Sequence, residues 1–546
     1  MSDLTTPNYL AEHIQIKVNF VVPEFAVASD YNLWSQTLTE QKYWDSIDAV
    51  TEYDLLSEQE QLFIKSILQS FRLLCELAKL PIFDSPRLIS VSKEVSPSRA
   101  FALELRLLKI DFIPLGVFQT LLNASIELCH WMAQNQLTPK NKTAVFNAIV
   151  TKLIKPLCGI ISARKSTIPV LRMAHQRGIP FFHLGLGTYQ LGWGSKARLL
   201  AGSISESDSV VGSVLSTSKS AAARMLRIGG LPAPEHAVTN TVDQAQVAAN
   251  RLGFPIVVKP DDQDRGLGVT VDVSNPDELS TAFLLAQKYS KKGVVLVERQ
   301  ADGICHRVFI ANGKVLYVVK RLPMSLIGNG IQTVMDLYKE EQSKQSQKPP
   351  WLRSPLAPLD PLAIESITKA GFNLDSIPEM GQLVPLRRIE STKWGGVDED
   401  LTHVIHHENM DIAIRAAQLF HLSHAGIDLI TTDISQPWYK TGAIINEVNI
   451  APLLGGGEIS RSYLPQFFAD FIEGDGKIPI KEFKTEKSAL TYQKKMKAQG
   501  IRCFITSESQ TKDDSGKEIF MPFKTIEQRI KILIVRADVD SIAVIK

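Results

Sequence analysis

The spacing of hydrophobic and polar positions changes character several times along this chain. In PIVVKPDDQDRGLGVTVDV, residues 255–273, a short apolar run ends near Lys259, a polar Gly-x-Gly segment follows, and Val269, Val271 and Val273 then alternate with other residues. A period of two reads as strand, so the segment predicts a strand, a glycine loop and a second strand. A second pair of apolar runs, AGIDLITTDISQPWYKTGAIINEVNIAP at 425–452, flanks a polar turn and predicts an antiparallel hairpin. Between them, VVLVERQADGICHRVFIANGKVLYVVKRLP predicts two or three further strands. Helical periodicity dominates earlier. After a short opening strand, IQIKVNFVV, the stretches EQEQLFIKSILQSFRLLCELAKL and FQTLLNASIELCHWMAQNQL are amphipathic at helical spacing. Residues 1–165 therefore predict a mainly helical domain. From Ser166 the chain reads as a helix followed by an extended, glycine-punctuated segment. A helix then starts at KSAAARMLRIGG, with Ser218 as its N-cap and Gly229–Gly230 at its end. Beyond residue 485, SALTYQKKMKAQGIRCFITSES followed by RIKILIVRADVDSIAVIK predicts a small C-terminal α/β segment. The class expected is α/β (α+β).

Composition narrows the function. A chain of 546 residues exceeds one ordinary core and predicts about three folding units. A net charge of +2 supplies no electrostatic reason for nucleic-acid or anionic-membrane binding. The start, MSDLTTPNYLAEHIQ, lacks the basic and apolar regions of a signal peptide, and no apolar run reaches bilayer length. A soluble, cytoplasmic protein is expected, with no nucleic-acid or membrane partner. The five cysteines, Cys75, Cys129, Cys158, Cys305 and Cys503, form no C-x-x-C pair and suit no disulfide framework.

The candidate chemistry lies in the two strand-rich stretches. Dinucleotide and P-loop motifs both open a helix, whereas Gly266 and Gly268 lead into a strand. Such a hairpin can close over polyphosphate with its backbone N–H groups, or be a plain surface hairpin. If the later hairpin turns between Pro437 and Trp438, Asp428 falls opposite Glu447, and Asn449 shares the face of Glu447. Two carboxylates and an amide oxygen are donors for Mg²⁺; a hydrogen-bonded acidic pair at a sheet end is the alternative. Together with Lys219 and Lys259, which would neutralise phosphate oxygens, these residues read as a phosphate-transfer site. Arg307 and Arg321 lie on the intervening strands, where an arginine fork suits a phosphate or a carboxylate.

In order and spacing, these pieces resemble the ATP-grasp ligases, and among them the ATP-grasp module of cyanophycin synthetase. The resemblance runs from about Ser166 to about Phe471, through STIPVLRMAHQRGIP, YQLGWG, SKSAAARMLRIGGLPAP, VVKPDDQDRGLGVTV, IGNGIQTVMDL, GFNLDSIPEMGQLVPLRR and INEVNIAPLL. It implies an ATP-grasp fold with ATP held between two α+β subdomains, Lys219 and Lys259 on its phosphates, Gly266 and Gly268 above them, and Glu298 at the adenine hinge. Asp428, Glu447 and Asn449 match the family's Mg²⁺ ligands, and Arg307 and Arg321 match positions near phosphate and acyl substrate. Cys305 stands where relatives carry an acidic ribose contact. DDQDRGLG replaces an Asn-rich, basic loop, and no G-x-x-x-x-G-K-[S/T] of a second, P-loop-bearing module occurs among these residues. The implied division is 1–165, a connecting segment 166–215, an ATP-grasp domain 216–478 with a lid insertion at about 328–396, and a tail 479–546. The insertion holds Arg387 and Arg388, either grips for a substrate carboxylate or a solvated basic pair. The implied activity is ATP-dependent joining of a carboxylate to an amine, with amino acids or short peptides as substrates. A dipeptide ligase, a phosphotransferase and a non-catalytic ATP-binding regulator are the alternatives, and a homo-oligomer is compatible with all of them.

Overall fold

The computed structural model describes residues 13–25, 31, 33–34, 37–38, 53–83, 86–93, 100–108, 113–157, 165–263, 266–350, 353–388, 396–522 and 525–546. Cys158 and the loop residues Asp264 and Arg265 lie outside these. The chain divides into two compact units: Met1–Gly202 with Pro349–Trp351 and Phe468–Lys546, and Ser203–Lys348 with Leu352–Phe467. Among the described residues no helix is long and apolar enough to cross a membrane.

In the first unit, helices Glu58–Leu77 and Leu115–Gln134 form where amphipathic spacing predicts them. Ser57 and Glu60 close a capping box that starts the first of these helices. Their buried faces, including Phe63, Ile67, Phe71, Phe118 and Leu121, share a core with a three-stranded antiparallel sheet. Its central strand, Ala100–Leu108, pairs with His13–Val21 on one side and Arg87–Lys93 on the other. The region is thus more than helices behind an opening strand. AFALELRLL alternates, burying Phe101, Leu103, Leu105 and Leu107, but its Ala, Leu, Glu and Arg residues are strong helix formers, so only pairing with neighbouring strands settles its state. The tail folds as a four-stranded sheet, Ile480–Phe483, Ser541–Ile545, Cys503–Thr506 and Thr511–Lys512 in that order, with helices Glu486–Ala498 and Ile526–Val535.

Two main sheets of the second unit carry the candidate residues. The elements that build them and their flanking helices are α1 (Lys219–Ile228), β1 (His236–Thr239), β2 (Ile256–Pro260), β3 (Thr270–Val273), α2 (Pro276–Tyr289), β4 (Val295–Arg299), β5 (Ile304–Ala311), β6 (Lys314–Pro323), β7 (Gly396–Asp400), α3 (His407–Leu419), β8 (His424–Thr431) and β9 (Ile444–Ile450). One sheet runs β3-β2-β4-β1 and the other β7-β6-β5-β8-β9, all pairs antiparallel. In the smaller sheet Ile256, Val258, Val295 and Val297 face a core completed by Leu279 and Phe283 of α2. In the larger, Val308, Val318, Ile427, Leu429, Ile445 and Val448 pack against Ala222 and Leu226 of α1 and Ala413 and Ala416 of α3. Each fully buried Val, Leu or Ile contributes about 1.5–3 kcal/mol, so these faces fix which way every intervening residue points. The segment after β6 adds a small layer, in which Ser325–Ile327 pairs with Leu383–Pro385 over Val334, Ile367 and Leu386.

A buried carboxylate ties the entry of this unit to β8. Asp208 accepts from the backbone N–H of Ser423 at 2.7 Å, of His424 at 2.9 Å and of Ser205 at 2.7 Å. Burial works to raise its pKa, but the His424 side chain and the N–H groups of Ser205 and His424 outweigh burial and hold it at about 2, against an ordinary 3.8. A depressed carboxyl contributes stability above its unfolded pKa and loses it as pH falls through the folded value. Asp208→Asn should therefore be less stable than wild type above pH 4, with the difference shrinking as pH drops towards 2. Urea midpoints across that range provide the measurement, and a constant difference would contradict the assignment.

Candidate active site

The two lysines come from different elements and end beside consecutive residues. Ser218 caps α1, its Oγ accepting from the N–H of Ala221, so Lys219 occupies the first helical position. Lys219 Nζ lies 3.0 Å from Glu447 Oε1. Lys259 sits on the face of the smaller sheet away from the core with α2, where register places Leu296 opposite it and Glu298 opposite Val257. Its ammonium pairs with Glu298 at 2.6 Å, both side chains being about 5% exposed, and donates to Asn446 Oδ1 at 3.4 Å. Asn446 is the extra residue of a β-bulge: Asp428 pairs with Glu447, but Leu429 pairs with Ile445. The bulge lets Ile445 and Val448, three apart, both reach the core, while Asn446 and Glu447 both reach lysines.

On the face of the larger sheet away from α1 and α3, register aligns Arg307, Asp428 and Glu447 in one row over β5, β8 and β9. Arg307 grips Asp428 with a two-pronged contact, Nε to Oδ1 and Nη2 to Oδ2, the latter at 2.9 Å. Asn449 Nδ2 donates to Asp428 Oδ2 at 3.2 Å. Burial opposes the charge of Arg307, yet Asp428 outweighs it and raises the guanidinium pKa. For Glu447, burial pushes the pKa up, but Lys219, followed by Lys259 and Arg307, pulls it below the ordinary carboxylate value. The carboxylate thus stays ionised. Arg321, on β6, is paired in register with Asp398 of β7. Cys305 lies two residues before Arg307 on β5.

The glycine segment joins β2 to β3 as a hairpin, with Gly266 and Gly268 both in the left-handed region, φ +70° and +71°. Gly268 is a packed position: a Cβ there would lie 3.1 Å from Pro260 and from Tyr289. A bulkier residue at Gly268 would strain the backbone and crowd the end of α2. The insertion arginines are already engaged. Arg387 is buried, pairs with Asp360 at 2.9 Å and donates to the carbonyls of Pro358 and Leu386. Arg388 contacts Asp272 of β3 and lies 3.7 Å from Glu365. Neither joins the residues around Glu447 as an open grip.

Residues 218–308 match the family model of the carbamoyl-phosphate synthase L chain, ATP binding domain. The chain contains an ATP-grasp domain. It is 33% identical to cyanophycin synthetase from Nostoc sp. over 333 residues, 60% of this chain and 36% of that one. It is also 26% identical to the glutathione biosynthesis bifunctional protein GshAB of Mannheimia succiniciproducens, over 43% of this chain and 32% of the other. The chain thus spans about a third of the length of these curated relatives. A crystal structure of a bifunctional glutathione synthetase from Pasteurella multocida superposes with a TM-score of 0.42 and 19% identity, covering 65% of this chain and 52% of that chain.

Two residues that touch the lysine-bearing elements escape a reading of the sequence. Asn446 is invisible because a bulge breaks the period that would orient it. Asp261 binds the start of α1 from the end of β2, a contact between segments about forty residues apart that spacing does not encode. The Lys259–Glu298 pair also changes what a lysine substitution measures. Lys259→Ala leaves a buried carboxylate unpaired and should destabilise the domain by about 3–5 kcal/mol. Lys259→Met combined with Glu298→Gln should recover most of that loss in a chemical-denaturation series. Equal destabilisation by the single and double variants would show that the pair carries no mutual dependence.

Proposed function

We propose that this chain is an ATP-dependent carboxylate–amine ligase, forming an amide between amino acids or onto a short peptide through an acyl phosphate. The observation that carries the reading is the convergence of Lys219, Lys259 and Arg307 on the Asn446–Glu447 bulge and Asp428, beside a glycine hairpin rooted at Lys259. The similarity to cyanophycin synthetase and to GshAB supports the same class.

The residues present fit Mg²⁺ by donor chemistry: Glu447, Asp428 and the side-chain carbonyl of Asn449 are hard oxygen donors, two of them anionic. Held by Glu447, Asp428 and Asn449, the ion would supply positive charge that screens the triphosphate. Lys219 and Lys259 would neutralise the phosphates of ATP, reducing their repulsion of an incoming carboxylate. A carboxylate oxygen then bonds to the γ-phosphorus as the bond to the β-phosphate oxygen breaks, leaving ADP. The amine bonds to the acyl carbon, inorganic phosphate departs, and the amine gives up a proton. Arg307 and Arg321 are assigned to the phosphoryl and acyl groups, Glu298 to the adenine side and Gly266–Gly268 to the cover that excludes water. Arg387 and Arg388 are assigned to the frame of the insertion. The working compartment is taken to be the cytoplasm.

With ATP, Mg²⁺ and mixed amino acids or short acidic peptides, the chain should release ADP and phosphate and form an amide detectable by mass spectrometry. Hydroxylamine should divert the acyl phosphate to a hydroxamate. AMP with pyrophosphate would exclude this mechanism, and a stable phosphorylated acceptor would indicate a phosphotransferase. Glu447→Gln keeps shape but removes one anionic donor, so turnover at limiting Mg²⁺ should drop by roughly tenfold or more. Unchanged Mg²⁺ dependence in this variant would make the carboxylate structural.

A further inference from the structure

We infer that Asp261 is a positioning residue that yokes Lys219 to Lys259, so that both ammonium groups address the same phosphate chain. The inference rests on the proposed ATP-dependent reading and assigns Asp261 a part in it. Asp261 follows Lys259 and Pro260 directly at the end of β2. Its backbone N–H donates to Val294 O at 3.3 Å, and its carbonyl accepts from the N–H of Lys219 at 3.3 Å. Its carboxylate accepts from Ser220 N at 2.8 Å through Oδ1 and from Ser218 Oγ at 2.9 Å through Oδ2. Three successive residues centred on Lys219 are thus held by the residue two places after Lys259.

The chemistry of a helix start explains why a carboxylate does this well. The first N–H groups of a helix lack intrahelical partners and carry partial positive charge, so an anion there is favourable. Ser218 already supplies the ordinary cap of α1. The second oxygen ligand comes from a different sheet, and its effect is to fix α1 against β2. The lysine heads repeat the arrangement, since Lys219 meets Glu447 and Lys259 meets Asn446, its neighbour in sequence. The adjacent aspartate reaches elsewhere, as Asp262 accepts from Ser290 Oγ at 3.3 Å and Lys291 N at 3.2 Å, beyond the end of α2. Consecutive aspartates therefore anchor the root of the glycine hairpin in two places, and Asp261 is the one that reaches a phosphate-facing lysine.

A residue that merely capped a helix would affect melting but not couple to Lys219. The test is titration of the full chain with a fluorescent ATP analogue and Mg²⁺, for wild type, Asp261→Ala, Lys219→Met and the double variant, alongside thermal unfolding. Asp261→Ala should weaken nucleotide binding about tenfold. In the Lys219→Met background the same change should add little. Asp261→Asn, which keeps one acceptor for Ser220 N–H, should be intermediate, and it replaces Asp261→Ala in the cycle if that variant unfolds. Failure of the wild-type chain to bind nucleotide would overturn the proposed function and this inference with it. Wild-type binding with unaltered affinity in the Asp261 variants, or losses that simply add to those of Lys219→Met, would overturn the inference alone.

Discussion

The strand register of β5, β8 and β9 is the constraint on which the candidate site depends. Once Val308, Ile427 and Val448 are committed to the core beneath α1 and α3, strand alternation leaves Arg307, Asp428 and Glu447 no choice but the other face. A one-residue slip would bury these charges and expose the core. The irregularity between β8 and β9, the bulge at Asn446, adds a second polar side chain to the site without removing an apolar one from the core.

The same register determines how charge is housed. Lys219, Lys259 and Arg307 each sit largely out of solvent against Glu447, Glu298 and Asp428. Unpaired, any of them would cost several kcal/mol to bury. Paired, they form a set of cations whose positions are fixed before a ligand arrives, which limits the reorganisation needed at the moment of reaction. Triphosphate and a divalent ion would bring charges of both signs into this set, so binding can exchange ion-pair partners with little net desolvation.

Segments far apart in the chain hold this arrangement by a few polar contacts at their ends. Asp208 fastens the start of β8, Asp261 the start of α1, and Arg388 joins the insertion to Asp272 at the far strand of the hairpin sheet. Asp272 has a left-handed backbone, φ +54°, and its N–H donates to Gln300 at 2.6 Å. The hairpin is thus tied at both its entry and its exit strand.

Local pattern in the sequence determined the elements and much of the site. The alternation around 255–273 and 425–452 marked the hairpins and Ser218 marked the start of α1, while the Asp428–Glu447 pairing expected from a symmetric turn is reached through the Asn446 bulge. These are legible because period and capping are properties of neighbouring residues. Tertiary structure alone decided the strand state of Ala100–Leu108, whose helix-forming residues are overruled by pairing on both sides. It likewise decided that Glu298 meets Lys259, that Arg387 belongs to the frame of the insertion, and that Asn446 and Asp261 touch the lysine-bearing elements. Each of those depends on which face of one element meets another, and that is set by the competition among all apolar faces for a common core, which no short stretch of sequence contains.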